Sequence, residues 1–276
     1  MNEMRRKLIA MDLDGTAVDS EGRLAPGVKE AIVNARAEGH MVAFVTGRAD
    51  TDMAALDCGY EFVDYLILNN GAKLVRGHDR TVLENEVLNR DEVERLIRFC
   101  QERDIQVYVI CGRECYASKR GERLERYMNS IGCCPHYFED ISQVPTDRVE
   151  GMTILGEAAP VCSAIREQGF NLRAVISEPF CVDVMNPQVN KWNGLKELLR
   201  RIGMEREDVV AVGDYDNDLE MILQSGIGVA VGNARECVKA RADYVTVRDN
   251  EAGAVADMIN ELVLGRTSGL CLKNAV

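Results

Sequence analysis

The sequence contains no apolar run approaching the roughly 20 residues that a membrane span needs, and its first ten residues carry charge where a signal peptide would have an apolar core. A cytoplasmic protein without a membrane partner is expected. Proline is scarce, six in 276 residues, and 28% charged residues stand beside 46% hydrophobic ones, which excludes long disordered tracts. Cations are in short supply too: 33 Lys and Arg face 45 Asp and Glu, a net charge of -12. Nucleic acid, whose binding rests on basic surfaces that release counterions, is therefore not an expected partner. Any phosphate-bearing ligand has to be neutralised locally, by a metal and a few well-placed cations. The ten cysteines form no disulfide framework, so free thiols are expected. Cys133, Cys134 and His136 come nearest to a zinc site, but no second cysteine pair at ligand spacing follows. Internal repeats and low-complexity tracts are missing as well. The length suits one large domain or two unequal ones, and nothing in the sequence reports the oligomeric state.

What is present begins at Lys7–Thr16, where an apolar strand runs into Asp12-Leu13-Asp14-Gly15-Thr16. In an extended chain Asp12 and Asp14 project to one side and Leu13 to the other, with the two carboxyl groups about 6–7 Å apart. Such a pair repels itself unless a proton or cation lies between, and Gly15 allows the sharp turn that follows. A calcium loop is excluded, because Ala17 and Arg23 stand where its glycine and closing acid belong.

Pro26–Glu38 reads as a helix with Val28, Ile32 and Ala35 on one face and Gly39 as its stop. Apolar runs then recur, each closing on a polar cluster. Met41–Val45 ends in Thr46-Gly47-Arg48, a hydroxyl beside a glycine that can offer donors to an anion. Asp64–Leu68 ends in Asn69-Asn70-Gly71, and Val209–Val212 in Gly213-Asp214-Tyr215-Asp216-Asn217-Asp218. Ile227–Val231 ends in Gly232-Asn233, where Asn233 and Glu236 have capping-box spacing, and Tyr244–Val247 is a last short run. Strands alternating with helices imply an α/β fold, a doubly wound parallel sheet covered on both faces. Clusters that all follow strand C-termini fall on the rim where open α/β sheets bind ligands.

Between residues 83 and 186 the pattern changes to helices over Asp91–Arg103, Glu122–Ser130 and Pro160–Gln168, with strands over Ile105–Ile110, Gly151–Leu155, Phe170–Ile176 and Phe180–Met185. No polar cluster punctuates these strand ends. This is read as an inserted α+β domain within a core made of residues 1–82 and 187–276, and Gly265–Val276 as a loose tail. Lys191 follows the insertion at the start of a helical segment. On one rim the core thus gathers an acid pair, a hydroxyl, a lysine and a second acid cluster. That inventory suits phosphoryl transfer to a carboxylate nucleophile.

Together, Asp12-Leu13-Asp14-Gly15-Thr16, Thr46-Gly47-Arg48, Asn70-Gly71-Ala72, Lys191, Gly213–Met221, Gly228–Ala234, Ala242–Thr246, Asn250 and Gly253 resemble the haloacid dehalogenase superfamily, in particular its Cof-type hydrolases with a large C2B cap. The resemblance spans nearly the whole chain. It implies a Rossmann-like core, with 83–186 as the cap that sets specificity, and a phosphatase acting on a small phosphorylated metabolite such as a sugar phosphate. Asp12 would be the nucleophile and Asp14 the general acid and base. Mg2+ would bind Asp12, the Asp14 carbonyl and Asp214, with Asp218 holding a metal-bound water. Thr46, Gly47, Lys191 and Asn217 would hold the phosphoryl group, and Arg48, Asn70 and Arg113 would be candidate substrate contacts, with Tyr116 and Lys119 beside Arg113. The sequence departs from the family pattern at Trp192, where a small residue is usual, and at Ala252, where an acid is usual. Alternatives are a phosphosugar mutase using the same acids and a phospho-accepting signalling module. A dinucleotide-binding reading fails because Gly226-Ile227-Gly228 follows a helix, with its third glycine out of register.

Overall fold

The structure, a computed structural model, describes residues 6–53, 61–131, 134–178, 180–266 and 273–274. Cys133 of the zinc-like cluster lies outside the described residues. In chain order the first strands are β1 (Leu8–Met11), β2 (Met41–Val45), β3 (Tyr65–Leu68), β4 (Lys73–Arg76) and β5 (Val82–Asn85), with helices α1 (Val28–Ala37) and α2 (Asp50–Met53). The middle of the chain forms α3 (Arg90–Glu102), β6 (Gln106–Cys111), β7 (Glu114–Ala117), α4 (Glu122–Ile131), β8 (His136–Tyr137), β9 (Gly151–Leu155), α5 (Ala158–Glu167), β10 (Arg173–Glu178) and β11 (Cys181–Met185). The last part supplies α6 (Lys191–Ile202), β12 (Val209–Gly213), α7 (Leu219–Gln224), β13 (Ile227–Ala230), α8 (Glu236–Lys239), β14 (Tyr244–Val245), α9 (Ala254–Met258) and β15 (Lys273–Asn274). Two compact units result, one from Met1–Gly47, Leu56–Leu83 and Asn190–Val276, the other from Arg48–Ala55 and Glu84–Val189.

The first unit is built on one sheet in the order β15-β14-β13-β12-β1-β2-β3-β4-β5. From β14 through β12 and β1 to β3 the pairing is parallel. Parallel strands covered on both faces need continuous apolar sequence, and β1 and β2 are buried along their whole length. Leu8 and Ala10 join Ala43, Val45, Val209 and Ala211 in a cluster closed by Leu195, Leu198 and Leu199 of α6. On α1, Val28, Ala31, Ile32 and Ala35 form its buried stripe, and α1 packs beside α9. The order reverses at β1, whose neighbours β2 and β12 lead the chain in opposite directions. That is the switch point at which α/β sheets open a crevice.

Several local expectations shift. The helix predicted from Pro26 begins at Val28, because Gly27 takes a left-handed φ of 76°. The tail predicted to be loose contributes Lys273–Asn274, which pairs antiparallel with β14. The capping box predicted at Asn233 does not form. Helix α8 starts after Arg235 without a side-chain cap, and the Asn233 amide is engaged elsewhere, as described below.

The second unit has the sheet β10-β11-β9-β6-β7-β8, antiparallel except for the β7–β8 pair. Strand alternation divides β6 between two cores. Val107, Val109 and Cys111 pack with α3 and α5, whereas Tyr108 and Ile110 pack with Ala49 and with Leu124 and Met128 of α4. Within this unit Lys119 is tied to Asp104, and Tyr116 lies against His136 at 5.3 Å between ring centroids. Among the described cysteines, Cys100, Cys111, Cys115, Cys134, Cys162, Cys181 and Cys237 are free thiols, as expected.

Candidate active site

β1 delivers Asp12 and β12 delivers Asp214 at the switch point, with the Asp12 amide still donating to the Val212 carbonyl at 3.0 Å. The extended chain ends there. The Leu13 carbonyl accepts from the amides of Thr16, Ala17 and Val18, so Leu13 turns into the core while Asp14 is exposed on the turn. Gly15 carries φ 73°, and a Cβ at that position would lie 2.6 Å from an Asp214 carboxylate oxygen. Only glycine lets the two acid loops come this close. The Thr16 hydroxyl donates to Asp214 Oδ1 at 3.0 Å.

Lys191 opens α6, whose first turn is capped by the Asn190 side chain accepting from the Asn193 amide. A glycine inside a helix costs about 1 kcal/mol, yet Gly194 stands in this first turn. A Cβ there would lie 2.8 Å from the Gly71 Cα, and one on Gly71 would lie 2.1 Å from the Asn190 carbonyl oxygen. Two bare backbones thus press α6 against the Asn69–Gly71 turn. The lysine so placed is 1% exposed, with Nζ donating to Asp12 Oδ1 at 2.5 Å and to Asp218 Oδ1 at 2.6 Å. The other Asp218 oxygen accepts from the amides of Asp214 and Tyr215, and Gly213 leaves room for that carboxylate. Asp218 therefore fixes both the lysine and the loop bearing Asp214.

Beside this group, the Asn217 amide donates to Asn70 Oδ1 at 2.9 Å, and Asn70 donates its backbone amide to the Thr46 carbonyl. Asn70 holds a left-handed φ of 54° with its side chain against Gly47, where a Cβ would lie 3.3 Å from Asn70 Nδ2. Asp12, Lys191, Asp214 and Asp218 thus form one cluster, and Thr46, Gly47, Asn70 and Asn217 a second. Arg48 and Arg113 belong to the other unit. Arg48 donates to the Asp52 carbonyl, and Arg113 is exposed in the β6–β7 turn. Trp192 is half-buried and packs against the hydrophobic cluster beneath α6.

Three carboxylates and one ammonium leave this buried cluster two negative charges in excess. Burial pushes the Asp12 carboxyl well above its ordinary value; Lys191 opposes this, while Asp218 and Asp214 add to it. Asp214 is raised to about 6, first by burial and then by Asp218, against the Thr16 hydrogen bond and Lys191. For Lys191, burial acts to lower the pKa, but Asp12 and Asp218 outweigh it and hold the ammonium charged. Asp12, Asp214 and Asp218 each offer an oxygen within 4.8 Å of the others. Hard oxygen donors around surplus negative charge fit a divalent cation of the magnesium type.

The fold is a Rossmann-like α/β core carrying an inserted α+β unit, with a buried acid and lysine cluster at the sheet's switch point. The chain belongs to the haloacid dehalogenase-like hydrolase family, whose profile matches residues 9–259. It is 28% identical to YxeH of Bacillus subtilis, covering 94% of this chain and 99% of that one. It is 27% identical to the 5-amino-6-(5-phospho-D-ribitylamino)uracil phosphatase YcsE of the same organism, covering 94% and 96%. The crystal structure of a haloacid dehalogenase-like hydrolase from Bacteroides thetaiotaomicron superposes with a TM-score of 0.83 at 28% identity, covering 94% of this chain and all of that one. No described helix is long and apolar enough to cross a membrane.

Gly194 and the pairing of Asn217 with Asn70 are features of the site that no sequence motif above marks. Gly194 carries a signal in retrospect, a glycine three residues after the candidate lysine in an otherwise strong helix.

Proposed function

We propose that this hydrolase of phosphate monoesters works through a phosphorylated Asp12, with magnesium, on a small phosphorylated metabolite. The observation that carries the reading is the Lys191 ammonium, held between Asp12 and Asp218 with all three side chains buried. Asp12 is thereby fixed at the bottom of the crevice. An Asp12 oxygen attacks phosphorus, the P–O bond to the alcohol breaks, and Asp14 gives its proton to the departing oxygen. Asp14, now a carboxylate, takes a proton from water whose oxygen attacks the same phosphorus. The bond to Asp12 breaks, inorganic phosphate leaves and the nucleophile is restored. Asp14 is exposed and set on a turn instead of a strand, which suits a group that meets both alcohol and water. Lys191, the Thr46 hydroxyl and the Gly47 amide hold the phosphoryl oxygens, and Asn217 and Asn70 brace that edge.

Asp12, the Asp14 carbonyl and Asp214 would hold Mg2+, with Asp218 behind them. When bound, the cation keeps Asp12 ionised and offsets charge on the transferring group. We assign residues 83–186 as the cap that closes over the metabolite, excludes bulk water and selects the substrate, with Arg48 and Arg113 as contacts. A small, polyol-like phosphate is supported by YcsE, named for a phosphorylated ribitylamino compound.

Acid quenching of a turnover mixture with a 32P-labelled sugar phosphate tests the route. A hydroxylamine-labile label on the wild type, lost in Asp12→Asn together with phosphate release by roughly a thousandfold or more, is the expected result. An undiminished rate in Asp12→Asn contradicts it. Transfer of the label to a second sugar hydroxyl would instead identify a mutase.

A further inference from the structure

The turn that carries Asp14 is gripped by side chains from the far end of the sequence. The Gly15 carbonyl accepts from Asn233 Nδ2 at 2.8 Å, and the Val18 carbonyl accepts from Asn250 Nδ2 at 2.8 Å, the second bond being buried. The two amides are linked to each other, since the Asn250 backbone amide donates to Asn233 Oδ1 at 2.9 Å. A third contact runs from the Ser20 amide to Glu251 Oε1 at 2.7 Å. The base of this device is itself braced. The Gly232 amide donates to Thr246 Oγ1 and to the Arg248 carbonyl, and Gly253, at φ 88°, comes so near Pro26 that a Cβ would lie 2.4 Å from its carbonyl oxygen.

This clasp explains why Asn233 does not cap α8. A local cap satisfies one amide, whereas the tertiary position uses both ends of the side chain. It also has a chemical consequence. Asp14 is exposed on the surface of a turn, and the two held carbonyls, at 15 and 18, belong to the residues that follow it in that turn. Neither bond reaches the buried Asp12–Lys191 pair directly, since the Lys191 ammonium donates to Asp12 and Asp218.

We propose that Asn233 and Asn250 are positioning residues that aim the Asp14 carboxyl at the oxygen leaving phosphorus. The inference rests on the assignment of Asp14 as proton donor. It separates the donor from the nucleophile: loosening the clasp harms the step that needs a proton more than it harms attack by Asp12. Leaving groups divide the two effects, since an alkyl alkoxide must be protonated as it departs and p-nitrophenolate need not be.

The test compares kcat/KM, which reports events up to departure of the alcohol, for an alkyl phosphate and for p-nitrophenyl phosphate, both with Mg2+. Asn233→Ala and Asn250→Ala are expected to lower the alkyl value about tenfold more than the p-nitrophenyl value, the scale set by small misplacement of a reacting group. Equal losses on both substrates, or losses only in thermal stability, overturn the proposal. Asn250→Ala leaves a buried carbonyl without its partner; should it fail to fold, Asn233→Ala, whose bond is exposed, decides alone. Asp14→Asn is the control. If it lowers both substrates equally, the proton-donor assignment fails and the clasp's role with it. If it shows the selective loss and the asparagine variants do not, only the clasp is overturned.

Discussion

The two units are each built on one sheet but use it for different ends, and the direction of their strands accounts for the difference. In the first unit β1, β2, β3 and β12 are parallel, so Asp12, Thr46, Asn69 and Asp214 all leave the sheet on the same rim. In the second unit β6, β9 and β11 are antiparallel, so the C-terminal ends of these neighbouring strands alternate between rims. Among the described residues, the one group of three carboxylates able to share a cation lies in the first unit. Its members cost stability when alone. The second unit instead buries apolar side chains on both faces of β6.

That contrast can be broken from either side. Lys191→Met should have the largest effect on stability, because it strands two buried carboxylates. A loss of about 3–5 kcal/mol in urea unfolding is expected for removing one partner of a buried ion pair. Added Mg2+ should recover part of it, and a variant as stable as wild type without metal would show that the pair is not under the stated strain. In the second unit, Ile97→Ala removes a fully buried side chain and should cost about 2–5 kcal/mol while leaving kcat toward p-nitrophenyl phosphate unchanged. Gly194→Ala sharpens the comparison. Its new methyl meets the Gly71 backbone, so it should cost about 1–3 kcal/mol and also lower kcat by moving Lys191. Loss of stability without loss of kcat would sever that link.

A smaller effect distinguishes the first unit in pH. His40 is buried, its Nδ1 accepting from the Lys7 amide at 3.1 Å, and burial lowers its pKa below the ordinary 6.5, with Glu38 opposing. The unfolded chain therefore binds a proton that the folded chain refuses. The stabilisation is complete above about pH 6.5 and is lost as pH falls toward the folded value. Unfolding followed from pH 8 to 5 should show this slope, and His40→Gln should flatten it.

Much of this was legible in the sequence because the informative stretches are local. Apolar runs closing on acids, glycines and hydroxyls mark both the strands and the rim; Met41–Val45 forms the strand its apolar run predicts, and the helix read over Asp91–Arg103 forms as Arg90–Glu102. What escaped is tertiary. Strands β4 and β7 have four residues each, too few for alternation to stand out. The Lys273–Asn274 pair is a strand only because β14 lies beside it. Asn233 has the spacing of a cap, but a partner some two hundred residues away offers it more bonds, and no local pattern records that competition.

The central claim, that Asp12 and water attack phosphorus in succession, is tested most directly by stereochemistry. Turnover of a sugar phosphate made chiral at phosphorus with oxygen isotopes, in isotopically labelled water, gives retention if two in-line displacements occur. The account predicts retention of configuration in the released phosphate, and inversion, the mark of a single direct attack by water, would contradict it.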